Sequence, residues 1–259
     1  MIKNLMTSYR LVRLGVHLIY GVIVVVLCFP SLAASQKSIR IQAWAKALLV
    51  KIKIDFEVLG RPPAGGPVLL VANHISWLDI PMMLAAGHCR FVAKSEIQHW
   101  PILGLLTRAV GTLFIARESR RDALRVVHHM AEELRASEVL AIFPEGTTSN
   151  GRQLLPFHAN LFQAAISADA PVQPVALRFV DVATGELSQA PCYIDDDSLW
   201  GSVWRTLRAP PLRATLVFGV PQLSNGRERR VWARDVRAAI AGMIPVKNDG
   251  RLSRCQPMA

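Results

Sequence analysis

From Leu14 to Gln36 the chain carries 23 consecutive residues without a formal charge, bounded by Arg13 and Lys37. The centre of this run, Leu18-Ile-Tyr-Gly-Val-Ile-Val-Val-Val-Leu-Cys-Phe29, is almost wholly apolar. A helix needs about 20 such residues to cross the hydrocarbon of a bilayer, so the run is long enough to do so. Two other structures share its features. A signal peptide has the same basic start (Lys3, Arg10, Arg13), apolar stretch and small residues such as Leu32-Ala33-Ala34. A helix lying in the interface is the other, with Pro30 near its end. The adjoining residues favour a retained membrane segment. Lys37, Arg40, Lys46, Lys51 and Lys53 interleave with Ile41, Trp44, Leu48 and Leu49 at helical spacing. Such a helix can lay its apolar side on lipid with its lysines near phosphates, or pack on the core as an ordinary surface helix. Charge lies on both sides of the apolar run, so the positive-inside rule does not orient it.

Composition agrees with a membrane-directed chain. Thirty Lys and Arg against nineteen Asp and Glu leave a formal charge of +11, yet 51% of residues are hydrophobic and only 19% charged. Global disorder needs the opposite balance. Sixteen Gly and sixteen Pro, scattered without period, exclude a collagen-like or low-complexity chain. Either nucleic acid or an anionic membrane could balance the charge, and the apolar excess favours the membrane. Cys28, Cys89, Cys192 and Cys255 are far apart and form no Cys-x-x-Cys pair. Neither a zinc site nor a disulfide framework is expected from them.

From Ile54 onward, β-rich runs alternate with helical patterns. Strands are expected at Ile54–Val58, Val68–Ala72, Arg90–Ala93, Thr112–Ile115, Val139–Phe143, Val172–Phe179 and Thr215–Phe218. Helices are expected at Ser76–Ala86, Ile102–Ala109, Glu118–Ala136, Ala159–Ala168, Ser198–Leu207 and Glu228–Ile244. Ala123, Val127, Met130 and Leu134 form the clearest apolar stripe. Alternation of this kind predicts an α/β fold: a central mixed, partly parallel sheet flanked by helices, behind an N-terminal membrane-associated helical segment. The expected division is residues 1–53 as anchoring helices, 54–247 as the α/β domain and 248–259 as a polar tail.

The stretch Val71-Ala-Asn-His-Ile-Ser-Trp-Leu-Asp79 follows a buried-strand run, which places His74 at a strand's carboxyl end, where α/β proteins put their sites. Ser76, three residues before Asp79, fits a helix N-cap with an acidic partner. The loop can then fold back so that the Asp79 carboxylate holds one ring nitrogen of His74 while the other faces substrate, as in a general base. Taken separately, Asp79 is equally a helix-capping residue and His74 a satisfied loop histidine. A second stretch, Ala141-Ile-Phe-Pro-Glu-Gly-Thr-Thr-Ser149, also follows an apolar strand. Its Gly146 permits close approach of a ligand to the backbone, and Glu145 could accept from a substrate hydroxyl, pair with a cation or stay solvated. A third, Gly111-Thr-Leu-Phe-Ile-Ala-Arg117, ends in an arginine that could clamp a phosphate by two hydrogen bonds or simply lie on the surface. Finally, Pro174 in Val172-Gln-Pro-Val-Ala176 predicts a sheet edge or a break beside a site.

Together these stand in the order Asn-His-x4-Asp, Gly-x-x-Phe-x-x-Arg, Phe-Pro-Glu-Gly-Thr and Val-x-Pro-Val. In that order, over about Val68 to Ala176, the chain resembles the glycerolipid acyltransferase family, most closely the bacterial 1-acyl-sn-glycerol-3-phosphate (lysophosphatidic acid) acyltransferases. Lys94-Ser-Glu-Ile and Trp100-Pro-Ile-Leu-Gly104 add to the resemblance. It implies that His74 deprotonates the acceptor hydroxyl, with Asp79 orienting it. The freed oxygen would attack the thioester of acyl-CoA or acyl carrier protein directly, without an acyl-enzyme. It implies that Arg117, Glu145, Gly146 and Thr147, with help from Lys94, bind the acceptor's glycerol phosphate. No metal and no cofactor are implied beyond the acyl donor. The partners implied are a lysophospholipid, that donor and membrane lipids, at a bacterial inner membrane with the catalytic domain on the cytoplasmic side. The sequence departs from the family pattern in Leu155-Pro-Phe-His-Ala-Asn160, where His158 and Asn160 stand in place of a basic residue and a glycine. Lyso-ornithine lipid acyltransferases, whose acceptor lacks a phosphate, are similar as well.

Other function classes account for less. Ser76, Ser95 and Ser149 lack the Gly-x-Ser-x-Gly elbow of a serine hydrolase. A nucleic-acid-binding module would explain the charge, with Arg227, Arg229, Arg230, Arg234 and Arg237 as a basic helix, but leaves the apolar N-terminus and the His–Asp block unexplained. His128-His129 on a helix point to different sides and make a poor metal pair.

Overall fold

The computed structural model describes residues 2–115, 120–194 and 196–244. In chain order the elements are α1 (Ile2–Leu27), α2 (Ala34–Lys51), β1 (Ile54–Leu59), β2 (Val68–Ala72), α3 (Asp79–Ala86), β3 (Arg90–Lys94), α4 (Leu103–Ala109), β4 (Leu113–Ile115), α5 (Arg120–Arg135), β5 (Val139–Ile142), α6 (Phe162–Ala168), β6 (Val172–Asp181), α7 (Leu199–Arg208), β7 (Leu212–Phe218) and α8 (Arg229–Met243). The seven strands form one sheet in the order β1-β7-β6-β2-β5-β3-β4. Every neighbouring pair is parallel except β6–β7. The chain is therefore an α/β protein with a mixed, mostly parallel sheet flanked by helices.

Parallel strands need both faces covered, and β2 and β5 are accordingly buried at every position. Alternate residues of β2 and β6 serve opposite layers. Leu70, Ala72, Val175 and Leu177 join a core with α3, α7 and the N-terminal pair α1–α2, whereas Leu69, Val71, Val172 and Ala176 pack with α5, α6 and α8.

The uncharged run Leu14–Gln36 is not one helix. It divides at Cys28, where a 3-10 turn over Phe29–Ser31 carries Pro30, and α2 begins at Ala34. The apolar helix instead takes in the basic residues upstream, and Asn4–Leu27 is apolar and long enough to cross a membrane. One side of α1 is nonetheless committed to protein. Leu14 is buried in the core and Arg10 donates to the Leu207 carbonyl at 2.7 Å. His17 and Trp44 stack at 5.0 Å, each ring nitrogen reaching the other residue's carbonyl, at 3.0 and 3.2 Å. α2 lays Ala45, Leu48 and Leu49 on the protein rather than on lipid. Fully burying a leucine is worth about 1.5–3 kcal/mol, which holds this helix to the domain.

Pro174 breaks nothing. It is buried in the unbroken ten-residue strand β6, between β2 and β7. The Val172 N–H bonds sideways to the Gln222 carbonyl, so the proline nitrogen, two residues on, faces the same side. There the β7 ladder has already ended at Phe218, and no donor is needed.

Candidate active site

β2, β5, β3 and β4 are parallel neighbours, so their carboxyl ends share one edge of the sheet. That topology gathers what sequence scattered: His74 two residues beyond β2, Glu145 beyond β5, and Lys94 closing β3. β4 ends on the same edge at Ile115; Arg117 lies outside the described residues. Lys94 is exposed and makes no hydrogen bond or ion pair among the described residues. Gly146 turns the chain at φ +73°, its N–H bonding back to the Phe143 carbonyl, and leaves Thr147 exposed.

His74 is fixed from every side but one. Its Nδ1 lies 2.7 Å from Asp79 Oδ2. The same oxygen accepts the backbone N–H groups of Ile75 at 2.6 Å and Ser76 at 2.9 Å. Ser76 is not the helix N-cap expected of it. Leu78 occupies that position, and the Ser76 hydroxyl accepts from the Leu78 N–H instead. The chain enters α3 only at Asp79, which makes the tighter turn that folds the carboxylate back onto His74. The imidazole stacks on Phe143 at 4.1 Å between centroids and 14° between planes. Asp79 is fully buried, while the imidazole keeps 21% of its surface exposed. Oδ2 already accepts two backbone N–H groups, so Nδ1 is assigned the proton it donates there, and Nε2 makes no hydrogen bond among the described residues. A histidine held this way can take a proton from a hydroxyl.

Glu145 meets the histidine from the backbone side. One carboxylate oxygen accepts the His74 N–H and the other the Leu155 N–H, both at 2.9 Å. The His74 carbonyl accepts from the Ser149 N–H at 2.8 Å. Asn73 extends the β2–β6 pairing by donating to the Leu177 carbonyl and accepting the Leu177 N–H. Phe143, Ser149 and Asn73 all sit within the motif blocks, but spacing alone did not disclose their parts: the stack, the carbonyl clamp and the strand extension.

Burial holds the Glu145 carboxyl above its ordinary value of 4.5, against the two backbone N–H groups and His74, which favour the ionised form. A raised folded value means the fold takes up the proton more readily than the unfolded chain. This contribution to stability is complete below pH 4.5 and is lost as pH rises through the folded value. Glu145→Gln removes it and leaves one of the two N–H groups facing an amide NH2, at a cost of about 1–3 kcal/mol. The stability difference between wild type and Glu145→Gln should therefore narrow from pH 4.5 towards neutrality in urea unfolding. A gap that widens over that range would contradict the stated environment.

Cys192 lies on the loop whose Tyr193 N–H bonds to the Ile75 carbonyl. Burial, followed by the charge of Asp79, pushes its thiol up to about 11, so it offers no thiolate nucleophile at neutral pH. His128 and His129 are exposed and face Glu132 and Glu133 on their own helix. No cluster of three metal-ligating side chains occurs among the described residues.

Comparison with known proteins places this geometry. A family model described as Acyltransferase matches residues 53–178, which run from β1 into β6 and include every site residue above up to Leu177. A 1-acyl-sn-glycerol-3-phosphate acyltransferase of Neisseria gonorrhoeae is 46% identical over 206 residues, 77% of this chain and 80% of that one. A lyso-ornithine lipid O-acyltransferase of Pseudomonas aeruginosa is 37% identical over 197 residues, 76% and 75% of the two chains. The crystal structure of the 1-acyl-sn-glycerophosphate (LPA) acyltransferase of Thermotoga maritima superposes with a TM-score of 0.64 at 20% identity, covering 96% of this chain and all of that one, and shares the fold. With a sheet edge that presents a carboxylate-held histidine, and with relatives of this identity over most of its length, the chain belongs to the acyltransferase family.

Proposed function

We propose that the protein transfers a fatty acyl chain from a thioester, acyl-CoA or acyl carrier protein, to the sn-2 hydroxyl of 1-acyl-sn-glycerol-3-phosphate, forming phosphatidic acid. The observation that carries the reading is the 2.7 Å contact between His74 Nδ1 and Asp79, which leaves Nε2 without a hydrogen-bond partner among the described residues on a ring that keeps part of its surface exposed. Nε2 takes the hydroxyl proton as the oxygen attacks the thioester carbonyl. The tetrahedral adduct then collapses, the carbon–sulfur bond breaks, and the imidazolium returns the proton to the leaving thiolate. Asp79 stabilises the imidazolium between these steps. Arg117 and Lys94 are assigned to the acceptor's phosphate, with Gly146 and Thr147 lining the turn beside it. Glu145 supports the site chiefly by bracing the His74 backbone.

An acceptor dissolved in lipid suits the N-terminal helix. α1 exposes Leu5, Tyr9, Val12, Val16, Ile19, Ile23 and Val26 on the side turned away from the domain. With its other side packed on α2 and α7, we infer that α1 lies against the domain with its outer face in lipid. The membrane assigned is a bacterial inner membrane, with the site on the cytoplasmic side.

The Pseudomonas relative favours a second acceptor, lyso-ornithine lipid. Assays of the purified protein with each acceptor in parallel, using acyl-CoA and acyl carrier protein as donors, separate the two. Turnover of lysophosphatidate is expected. Turnover of lyso-ornithine lipid alone would overturn the primary reading.

A further inference from the structure

α8 and the residues just before it carry five arginines, Arg227, Arg229, Arg230, Arg234 and Arg237. The group divides in two. Arg227 is spent on structure: it donates to the Ser224 and Leu223 carbonyls, to Gln222 and to Asp235, and lies over the Trp232 ring. Arg237 is spent likewise on the Leu154 and Leu155 carbonyls. Arg229 and Arg230 are exposed and make no hydrogen bond or ion pair among the described residues. Arg234 is 76% exposed, with only Asp235 near it at 3.9 Å. Helix stability does not explain their positions, because Arg229 and Arg230 occupy the first turn, where the helix dipole disfavours cations.

The surface around them is open and lies next to the site. Two adjoining cavities of about 380 and 470 Å³ flank Arg230, one lined by Gln163, Ile166 and Glu228, the other by Pro156, Phe157 and Arg234. The wall of the second cavity connects to the catalytic loop. Leu155, held by Arg237 through its carbonyl, gives its N–H to Glu145, and the His158 N–H bonds to the Pro144 carbonyl at 2.8 Å. α8 also packs on the face of the sheet opposite to α1 and α2. The arginines thus face away from the lipid side, towards water.

We propose that the α8 ridge of Arg229, Arg230 and Arg234 is the docking surface for an acidic protein, the carrier that presents the acyl thioester. This rests on the function proposed above and names the donor's side of that site. A row of exposed guanidinium groups, of which only Arg234 has a carboxylate near it, fits an extended acidic surface better than it fits one small anion. Arg230 and Arg234, four residues and about 6 Å of helix apart, share one face and one cavity, while Arg229 points to a different side, so the three charges spread over a strip of surface. Such rim charges steer association and set its salt dependence.

The test uses the full chain in detergent. Binding of unacylated, phosphopantetheine-bearing carrier protein is measured by fluorescence anisotropy at low and high salt, beside steady-state kinetics with each donor. Arg230→Glu/Arg234→Glu should weaken carrier binding ~10-fold or more and flatten its salt dependence. Its KM for acyl-CoA should stay within about twofold of wild type. Arg230→Gln/Arg234→Gln, a milder change with an independent folding check by thermal unfolding, should fall between. Unchanged carrier affinity in either folded variant overturns the proposal. So does an equal rise in KM for acyl-CoA, which would make the ridge a site for the small donor, or equally tight binding of duplex DNA. Carrier binding is read without any acceptor, so the two proposals fail separately. Transfer from acyl-CoA to lysophosphatidate without carrier binding sinks only the ridge. Carrier binding through these arginines without that transfer sinks only the proposed acceptor.

Discussion

His74→Ala should lower kcat by about 10²–10⁴-fold, the usual contribution of a positioned general base, while the protein still folds. The expectation of folding is specific. The backbone of residue 74 is fixed by Glu145, through its N–H, and by Ser149, through its carbonyl, and neither bond involves the imidazole. Alanine forfeits the stack on Phe143 and the bond to Asp79, but the carboxylate keeps both backbone N–H partners. The acceptor and donor contacts assigned elsewhere are untouched, so KM for each substrate should change little and the loss should fall on kcat. Steady-state kinetics and thermal unfolding on the same preparation provide the check. A kcat within a few-fold of wild type would mean that another group takes the proton.

Much of this arrangement could be read from residue order, for physical reasons that differ from element to element. Strand and helix periodicity placed β2 with both ends correct, because a fully buried strand is a continuous apolar run. The same periodicity ended β7 short at its start, because Leu212 and Ala214 alternate with exposed Arg213, and the proline pair before them masks the pattern. The His74–Asp79 contact was legible because the spacing of five leaves room for one loop turn. The role of Ser76 was not, because the choice between a cap at 76 and a cap at 78 depends on how tightly that loop closes. Glu145 shows the main limit. A glutamate in a turn is read from sequence as accepting from a hydroxyl, pairing with a cation or staying solvated, and none of these readings discloses the two backbone N–H groups that its oxygens accept, one of them ten residues away at Leu155. Pro174 was legible only in part: it does stand where the β7 ladder stops, but β6 is neither an edge strand nor interrupted, because whether a strand misses an N–H depends on the neighbour strand's length, and strand order is not written in local pattern. The charge of α8 was visible from composition alone. Its division into bonded and free arginines required knowing where the Leu154–Leu155 carbonyls and Asp235 lie.

Asp79 separates chemistry from folding more sharply than any other residue, because one of its oxygens serves both. Oδ2 accepts His74 Nδ1 and two backbone N–H groups, while Oδ1 is buried with no hydrogen-bond partner. In Asp79→Asn the two backbone donors dictate which way the amide turns: its oxygen must take the Oδ2 place, since an NH2 there would face N–H groups. The histidine then keeps a hydrogen-bond acceptor and its tautomer, and what is lost is the negative charge that stabilises the imidazolium. A fall in kcat of at most ~10²-fold, no more than the low end expected of His74→Ala, is expected, with KM for the acceptor nearly unchanged. The amide NH2 is left buried in the Oδ1 position without an acceptor, so a modest loss of stability accompanies it. Asp79→Ala is different in kind. It leaves the Ile75 and Ser76 N–H groups buried and unpaired, at about 1–3 kcal/mol each, a large share of the 5–15 kcal/mol that typically separates folded from unfolded. Urea unfolding should therefore rank wild type above Asp79→Asn and Asp79→Asn well above Asp79→Ala, whereas His74→Ala stays near wild type. If Asp79→Asn turns over as fast as wild type, the carboxylate charge plays no part in the reaction. If Asp79→Ala unfolds no more easily than Asp79→Asn, the two N–H groups find other partners and the loop is not held as described.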